Sequence, residues 1–401
     1  MTILRTGVCA PSGFRAAAVA AGVKKPGTTR LDCALIVSDR PTAVAGTFTT
    51  NVVCAAPVIY CREVCARGSA QAIVANSGNA NACTGEKGYE DTKTMAATAA
   101  GPLGITSEEV CVASTGVIGV PLPMDRLVPG IEKCTTALSE ENGSDVAQTI
   151  MTTDTVPKEL SVEVPLSNGV VTIGAVAKGA GMIAPNMATM LCFITTDAAI
   201  APADLQALLQ QAVSKSFNCI CVDNDMSTND TVLCLANGAS EIALLPGSPD
   251  YHHFSEALTN LCISLAQALV RDGEGATKFI EITVTGAADD AEARIIAGSI
   301  AKSQLCKTAF YGQDANWGRI AAAAGYAGVN FDPAGLDLHI QGIHVLEAGQ
   351  PTSYSEDEIQ ELMQGQEIRV AMTLQEGEGR AIYWTSDLSL DYVKINADYR
   401  T

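Results

Sequence analysis

Thr189 follows the stretch GAGMIAPNMA and opens the apolar run TMLCFITTD. A nucleophile that works without histidine needs another base, and an N-terminal threonine has one in its own α-amine, which takes the hydroxyl proton. An internal threonine gains that amine only if the peptide bond before it breaks. This can happen when its Oγ attacks the preceding carbonyl and water hydrolyses the resulting ester. A turn that strains the carbonyl and a strand that fixes the hydroxyl suit such a step. Glycines running through Pro185 and Asn186 into a β-rich segment provide both parts. Composition alone favours an ordinary loop entering a strand, because threonine is common at strand starts.

Other chemistries are weaker. NSGNANACTGEKG (76–88) lacks the GK[ST] ending of a phosphate loop and reads as a polar turn. DNDMSTND (223–230) starts like a calcium loop, but Thr228 replaces the required glycine and Cys234 stands where the bidentate glutamate belongs. No GxSxG elbow occurs, and His252, His253, His339 and His344 have no evident serine partner, so a Ser-His-Asp hydrolase is poorly supported. The 14 cysteines include no CxxC, and Cys33, Cys192, Cys219, Cys221, Cys234 and Cys262 sit in apolar runs. They read as buried thiols in a reducing compartment, and no metal site is expected.

These residues must be held by strands and helices. LSVEVPL (160–166), GVVTIGAVA (169–177) and TMLCFITTD (189–197) read as strands. From Asp204 the period becomes 3.6, with Leu205, Leu208, Leu209, Ala212, Val213 and Phe217 on one helical face ending near Asn218. A second helix is expected from Ser255 as its cap, with Leu258, Leu261, Cys262, Leu265 and Leu269 inward. Between them, CICVDNDMSTNDTVLCLANG reads as two short strands around a polar turn, and KFIEITVTG as another strand. SEDEIQELMQGQE (355–367) predicts an exposed helix capped by Ser355. The pattern predicts a layered α/β sandwich, sheets packed face to face and helices outside, αββα-like, with a smaller C-terminal lobe.

At 401 residues, 47% hydrophobic and 17% charged, the chain has the composition of a globular protein. Its N-terminal apolar stretch, interrupted by Arg15, is too short for a signal peptide or membrane span, so a cytoplasmic location is expected. The net charge of −19, without clustered Lys and Arg, argues against a nucleic-acid partner. Most of the acidity lies late: 14 basic and 16 acidic residues precede Thr189, against 11 and 28 from Thr189 onward.

KGAGMIAPNMATML resembles the self-cleavage segment of the ornithine acetyltransferases, also called glutamate N-acetyltransferases. The segments NSGNANACTG, ASTGVIGVPLP, TTDTVPK, VDNDMSTNDT, RDGEGATK, YGQDANWGRI and INADYRT resemble that family in the same order, across essentially the whole chain. The resemblance implies cleavage between Ala188 and Thr189, into an α chain of residues 1–188 and a β chain of residues 189–401 in one intertwined α/β body, assembled as α2β2. It implies Thr189 as nucleophile and base, with Thr115 and Gly116 as the oxyanion hole. Without it, Thr115 and Gly116 read as a simple turn, Lys178 as a solvated loop lysine and Glu274 as a solvated carboxylate.

Substrate contacts implied by the resemblance are Thr152, Lys178, Thr189, Glu274, Asn396 and Thr401, with the register between Thr152 and Thr153 open. Lys178 suits an α-carboxylate, and by charge Glu274 suits the side-chain ammonium of ornithine. The implied reaction moves acetyl from N2-acetyl-L-ornithine to L-glutamate in arginine biosynthesis through an acetyl ester on Thr189. It needs no cofactor, and acetyl-CoA as a further donor is left open. Two rivals remain: an N-terminal-nucleophile aminopeptidase or amidase, in which water takes the acyl group, and a non-catalytic small-molecule binding protein with Thr189 still internal.

Overall fold

The computed structural model describes residues 6–184 and 190–398. The first half holds β1 (Phe14–Val19), β2 (Cys33–Phe48), α1 (Ala56–Arg67), β3 (Ser69–Asn76), α2 (Gly85–Leu103), β4 (Val110–Ser114), α3 (Met124–Thr136) and α4 (Gly143–Ile150). Then come β5 (Lys158–Leu166), β6 (Gly169–Lys178), β7 (Leu191–Thr196), α5 (Pro202–Ser214), β8 (Ile220–Cys221), β9 (Thr231–Ala236) and α6 (Pro249–Arg271). The remainder comprises β10 (Phe279–Ala287), α7 (Asp290–Lys302), α8 (Gln304–Tyr311), α9 (Trp317–Gly325), β11 (Asp337–Ile340), β12 (Ile343–Glu347) and β13 (Gln350–Pro351). It ends with α10 (Glu356–Leu362), β14 (Glu367–Thr373), β15 (Gly379–Ser386) and α11 (Leu390–Asp398).

Two mixed sheets result, as the layered α/β expectation requires. The first runs β4-β3-β2-β9-β7-β6-β5, with β1 also on β2, and the second β13-β12-β11-β14-β10-β15-β8. The LCFITT run is apolar at nearly every position because β7 lies inside the first sheet, between β6 and β9, and is buried on both faces. Leu191 and Phe193 join the core shared with the helices before residue 150, while Cys192 and Ile194 join the core shared with α5 and α6. Helix α6 packs on β5 and β6 of the first sheet and on β8 and β15 of the second, which ties the smaller C-terminal sheet to the body.

Helix α5 buries Leu205, Leu208, Leu209, Ala212 and Val213 as its period predicts, but ends at Ser214. Phe217 is buried from a separate 3-10 turn, Phe217–Cys219. Helix α6 starts earlier than expected. Ser248, not Ser255, is its cap, accepting from the Tyr251 amide at 3.1 Å, with Pro249 in the first turn. Ser255 is buried inside the helix beside Phe254. Ser355 does cap α10, accepting from the Glu358 amide. The two strands of CICVDNDMSTNDTVLCLANG are not a hairpin: β8 joins the second sheet and β9 the first, so the polar segment between them bridges the two. The six cysteines expected to be buried are buried free thiols.

Candidate active site

Strand β6 ends at Lys178, where the hydrophobic inward face runs out and the glycine stretch begins. Its ammonium, on a residue only 2% exposed, donates to Thr115 Oγ at 3.4 Å. Among the described residues no carboxylate lies within ion-pair distance of it. Burial lowers the Lys178 pKa, opposed by Asp154 and reinforced by Lys158. The solvated-lysine reading is therefore overturned.

Thr115 and Gly116 follow β4, whose pairing with β3 carries them to the sheet end beside Asn76. The Thr115 amide is committed to the Asn76 carbonyl at 3.0 Å. Its hydroxyl, accepting from Lys178, keeps its own proton to donate. Gly116 has φ +132°, and a Cβ there would lie 2.4 Å from the Gly78 carbonyl carbon. The 76–88 stretch is thus more than a polar turn. Asn76 donates to the Asn79 carbonyl, Asn79 to that of Val120, and Asn229 to those of Ala80 and Ser114, so buried amides hold the two loops together.

Around these residues lies a cavity of about 260 Å³. Thr115, Gly116, Thr152, Lys178, Glu274 and Asn396 line it, and so does Thr153, so both threonines of the uncertain register face the same space. Asn396, on α11, donates to Glu274 Oε2 at 2.7 Å, and Glu274 stands so close to Gly181 that a Cβ there would meet its carboxyl group at 2.4 Å. Glu274 is not a free-standing solvated carboxylate. Ala188, Thr189 and Thr401 lie outside the described residues.

Several participants escaped the sequence reading. Asp223, Asp225 and Tyr392 line the cavity. Asp223 accepts from the amides of Met182 (2.6 Å) and Ile183 (2.8 Å), holding Met182 at φ +56°. Burial pushes the Asp223 carboxyl up to about 6, although the Asp225, Met182 and Ile183 amides favour its charge. Asp230, fully buried, accepts from the Met190 amide at 3.0 Å. Burial raises its pKa well above the usual range against the pull of that amide and Lys178. The signal was VDNDMSTNDT itself, which was weighed as a calcium loop rather than for carboxylates that hold backbone.

Asp154 supports the site from below. It accepts from Gly179 N (2.7 Å), Thr152 N (3.0 Å) and Lys158 Nζ (2.8 Å), fixing two cavity segments at once. Burial pushes its carboxyl up, but Lys178 and Lys158 outweigh it and hold the pKa at about 2. Removing one partner of a buried ion pair costs about 3–5 kcal/mol, so Asp154→Ala should lose roughly that much in chemical denaturation. With a folded pKa below the ordinary 3.8, the Asp154 contribution is present above pH 3.8 and is lost as pH falls toward 2. Asp154→Ala should therefore flatten the acid limb of the stability profile. An unchanged limb would remove this ion pair from the account.

The chain is similar to the arginine biosynthesis bifunctional proteins ArgJ of Symbiobacterium thermophilum, 50% identical over all of both chains, and of Geobacter sulfurreducens, 50% identical over 97% of this chain and 99% of that one. A crystal structure of arginine biosynthesis bifunctional protein argJ from Bacillus halodurans is 44% identical with a TM-score of 0.51, covering 52% of this chain and 98% of its own. The ArgJ family model matches residues 15–401, and with these relatives it shows that the chain belongs to the ArgJ family.

Proposed function

We propose that the chain is an acetyltransferase of arginine biosynthesis that moves the acetyl group of N2-acetyl-L-ornithine to L-glutamate through an acetyl ester on Thr189, and also acetylates glutamate from acetyl-CoA. The observation that carries the reading is convergence: Thr115 and Gly116, Thr152, Lys178, Glu274 and Asn396 come from five parts of the chain and line one cavity. The described ends Ala184 and Met190 bracket Thr189. The similarity to arginine biosynthesis bifunctional proteins supports the pathway and a second activity.

In this reading Thr189 Oγ first attacks the Ala188 carbonyl, and hydrolysis of the ester frees the Thr189 α-amine. That amine takes the hydroxyl proton as Oγ attacks the acetyl carbonyl. The Thr115 hydroxyl and the Gly116 amide donate to the developing oxyanion. The protonated ornithine nitrogen leaves, and the glutamate amine then attacks the acetyl ester and restores Thr189. Lys178, with no carboxylate in ion-pair distance among the described residues, takes the substrate α-carboxylate, while Glu274 with Asn396 takes the distal ammonium of ornithine. Thr152 and Thr401 complete the substrate contacts.

Cleavage would leave residues 1–188 and 189–401 as one body because the sheet crosses the break. The strands β6 and β7 pair over Ile173–Lys178, and β2 pairs with β9 over Ala43–Phe48. The chains then assemble as α2β2 in the cytoplasm, and no helix among the described residues is long and apolar enough to cross a membrane.

Labelled acetylornithine incubated with glutamate should yield labelled acetylglutamate in preference to acetate. Acetate as the main product would favour the amidase reading. Truncating a charged partner in a desolvated site costs about 2–5 kcal/mol, so Glu274→Gln should weaken acetylornithine by that order and glutamate, which has no distal ammonium, much less. Lys178→Met should weaken both. Steady-state kinetics on mutants confirmed as cleaved makes the comparison, and equal losses for both substrates in Glu274→Gln would sink the distal-ammonium assignment.

A further inference from the structure

A second cavity, of about 220 Å³, adjoins the first, with Thr152 in the wall of both. Gly78, which also lines it, is the residue stacked against Gly116 of the first cavity. Its other wall is the segment KKPGTTR, whose Lys24, Lys25 and Arg30 bring three cations to one opening on a chain of net charge −19. Clustered cations, not expected from the sequence, are therefore present here on a local scale.

The segment is held in place. The Asp32 carboxylate accepts from the amides of Ala21 (2.6 Å), Gly22 (3.2 Å) and Val23 (2.6 Å). Arg126 donates to the Gly22 carbonyl. Lys24 packs its backbone on Gly78, where an added Cβ would sit 3.1 Å from the Lys24 nitrogen. The Arg30 guanidinium donates to the Met151 carbonyl at 2.6 Å, which fixes it next to Thr152. Asp32, the acid in the wall, is held by three amides and sets one negative charge against the three cations of the lining, which leaves the lining net positive.

We infer that this second cavity binds the phosphate-bearing end of acetyl-CoA through Lys24, Lys25 and Arg30, while the acetyl thioester reaches the threonine cavity past Thr152. The inference rests on the proposed use of acetyl-CoA. A polyanion approaching a strongly acidic protein is repelled over most of the surface, so a donor carrying a diphosphate and a further phosphate needs a local cationic site. Lysine and arginine are the side chains that match phosphate oxygens. Acetylornithine, with its α-carboxylate and distal ammonium gripped in the first cavity, has no phosphate to place here. The two donors therefore share Thr189 and differ in the second cavity.

The test compares the wild-type enzyme with Lys24→Ala/Lys25→Ala and with Lys25→Glu, all confirmed as cleaved. Loss of two exposed charge contacts should raise the KM for acetyl-CoA by about tenfold, with a larger rise for the charge reversal. Transfer from acetylornithine to glutamate should keep its kcat/KM. Free coenzyme A should inhibit the acetyl-CoA reaction of the wild type and do so less in the variants. An unchanged acetyl-CoA KM, or an equal loss with both donors, overturns the inference while the acyltransferase reading stands. Weakened inhibition by inorganic pyrophosphate with that by coenzyme A unaltered marks a simple anion site and also overturns it. A wild type that transfers from acetylornithine but never uses acetyl-CoA overturns the proposed second activity and the inference together.

Discussion

Thr189→Ala should purify as a single uncleaved chain with no acetyl transfer, whereas the wild type separates under denaturing conditions into residues 1–188 and a heavier chain whose N-terminal sequence begins TMLCF. In the proposed mechanism the hydroxyl is required twice, to break the Ala188–Thr189 bond and to carry the acetyl group, so its loss should abolish both activities rather than reduce them. The structure supports local cleavage by how it holds the flanks. Upstream, the Asp223 carboxylate takes the amides of Met182 and Ile183, and Met182 has φ +56°, a strained value for a residue with a side chain. Downstream, Met190 is fixed by Asp230 on its amide and by the Thr231 amide on its carbonyl, and then enters β7 in the middle of the sheet. A Thr189→Ala protein that is still processed would show that another group drives the cleavage.

Thr115→Val should slow transfer by about a hundredfold to a thousandfold, the usual cost of one lost oxyanion donor, while KM changes much less. Valine keeps the shape and removes the proton. Because the Thr115 amide is already committed to Asn76, the hydroxyl is what this residue can offer to the reaction. Thr115→Ser should keep most of the rate, which separates lost chemistry from a disturbed turn. Gly116→Ala is a poorer probe than it first seems. At φ +132° and with Gly78 in the way, the added methyl would displace the 76–88 loop, so activity lost there would not distinguish a donor from a packing defect. Wild-type turnover in cleaved Thr115→Val would take this hydroxyl out of the mechanism.

Much of the local structure was legible because it depends on near neighbours. The strand runs of β5, β6 and β10 and the 3.6-period face of α5 were visible as such, and Ser355 announced its helix by acids in the following turn. The start of α6 was misplaced because Ser255 precedes the apolar stripe, whereas the first turn from Pro249 is largely polar and shows no stripe, only a cap and a proline. The order of the family's segments carried the chemistry of Thr189 and the candidate contacts without any geometry at all.

Distance along the chain hides what the tertiary structure brings together. Thr115 and Lys178 meet across 63 positions and Glu274 and Asn396 across 122, through strand pairings and helix docking that no local pattern encodes. Burial was decided the same way. Lys178, Asp154 and Asp230 are polar residues near loops, and only the packing of sheet, loop and helix around them removes water and shifts their protonation. The sequence by itself thus determined which elements form and which residue types are present for acyl transfer. The fold decided which of them share one cavity and how strongly their charges act there, because both depend on non-local contacts and on the exclusion of solvent.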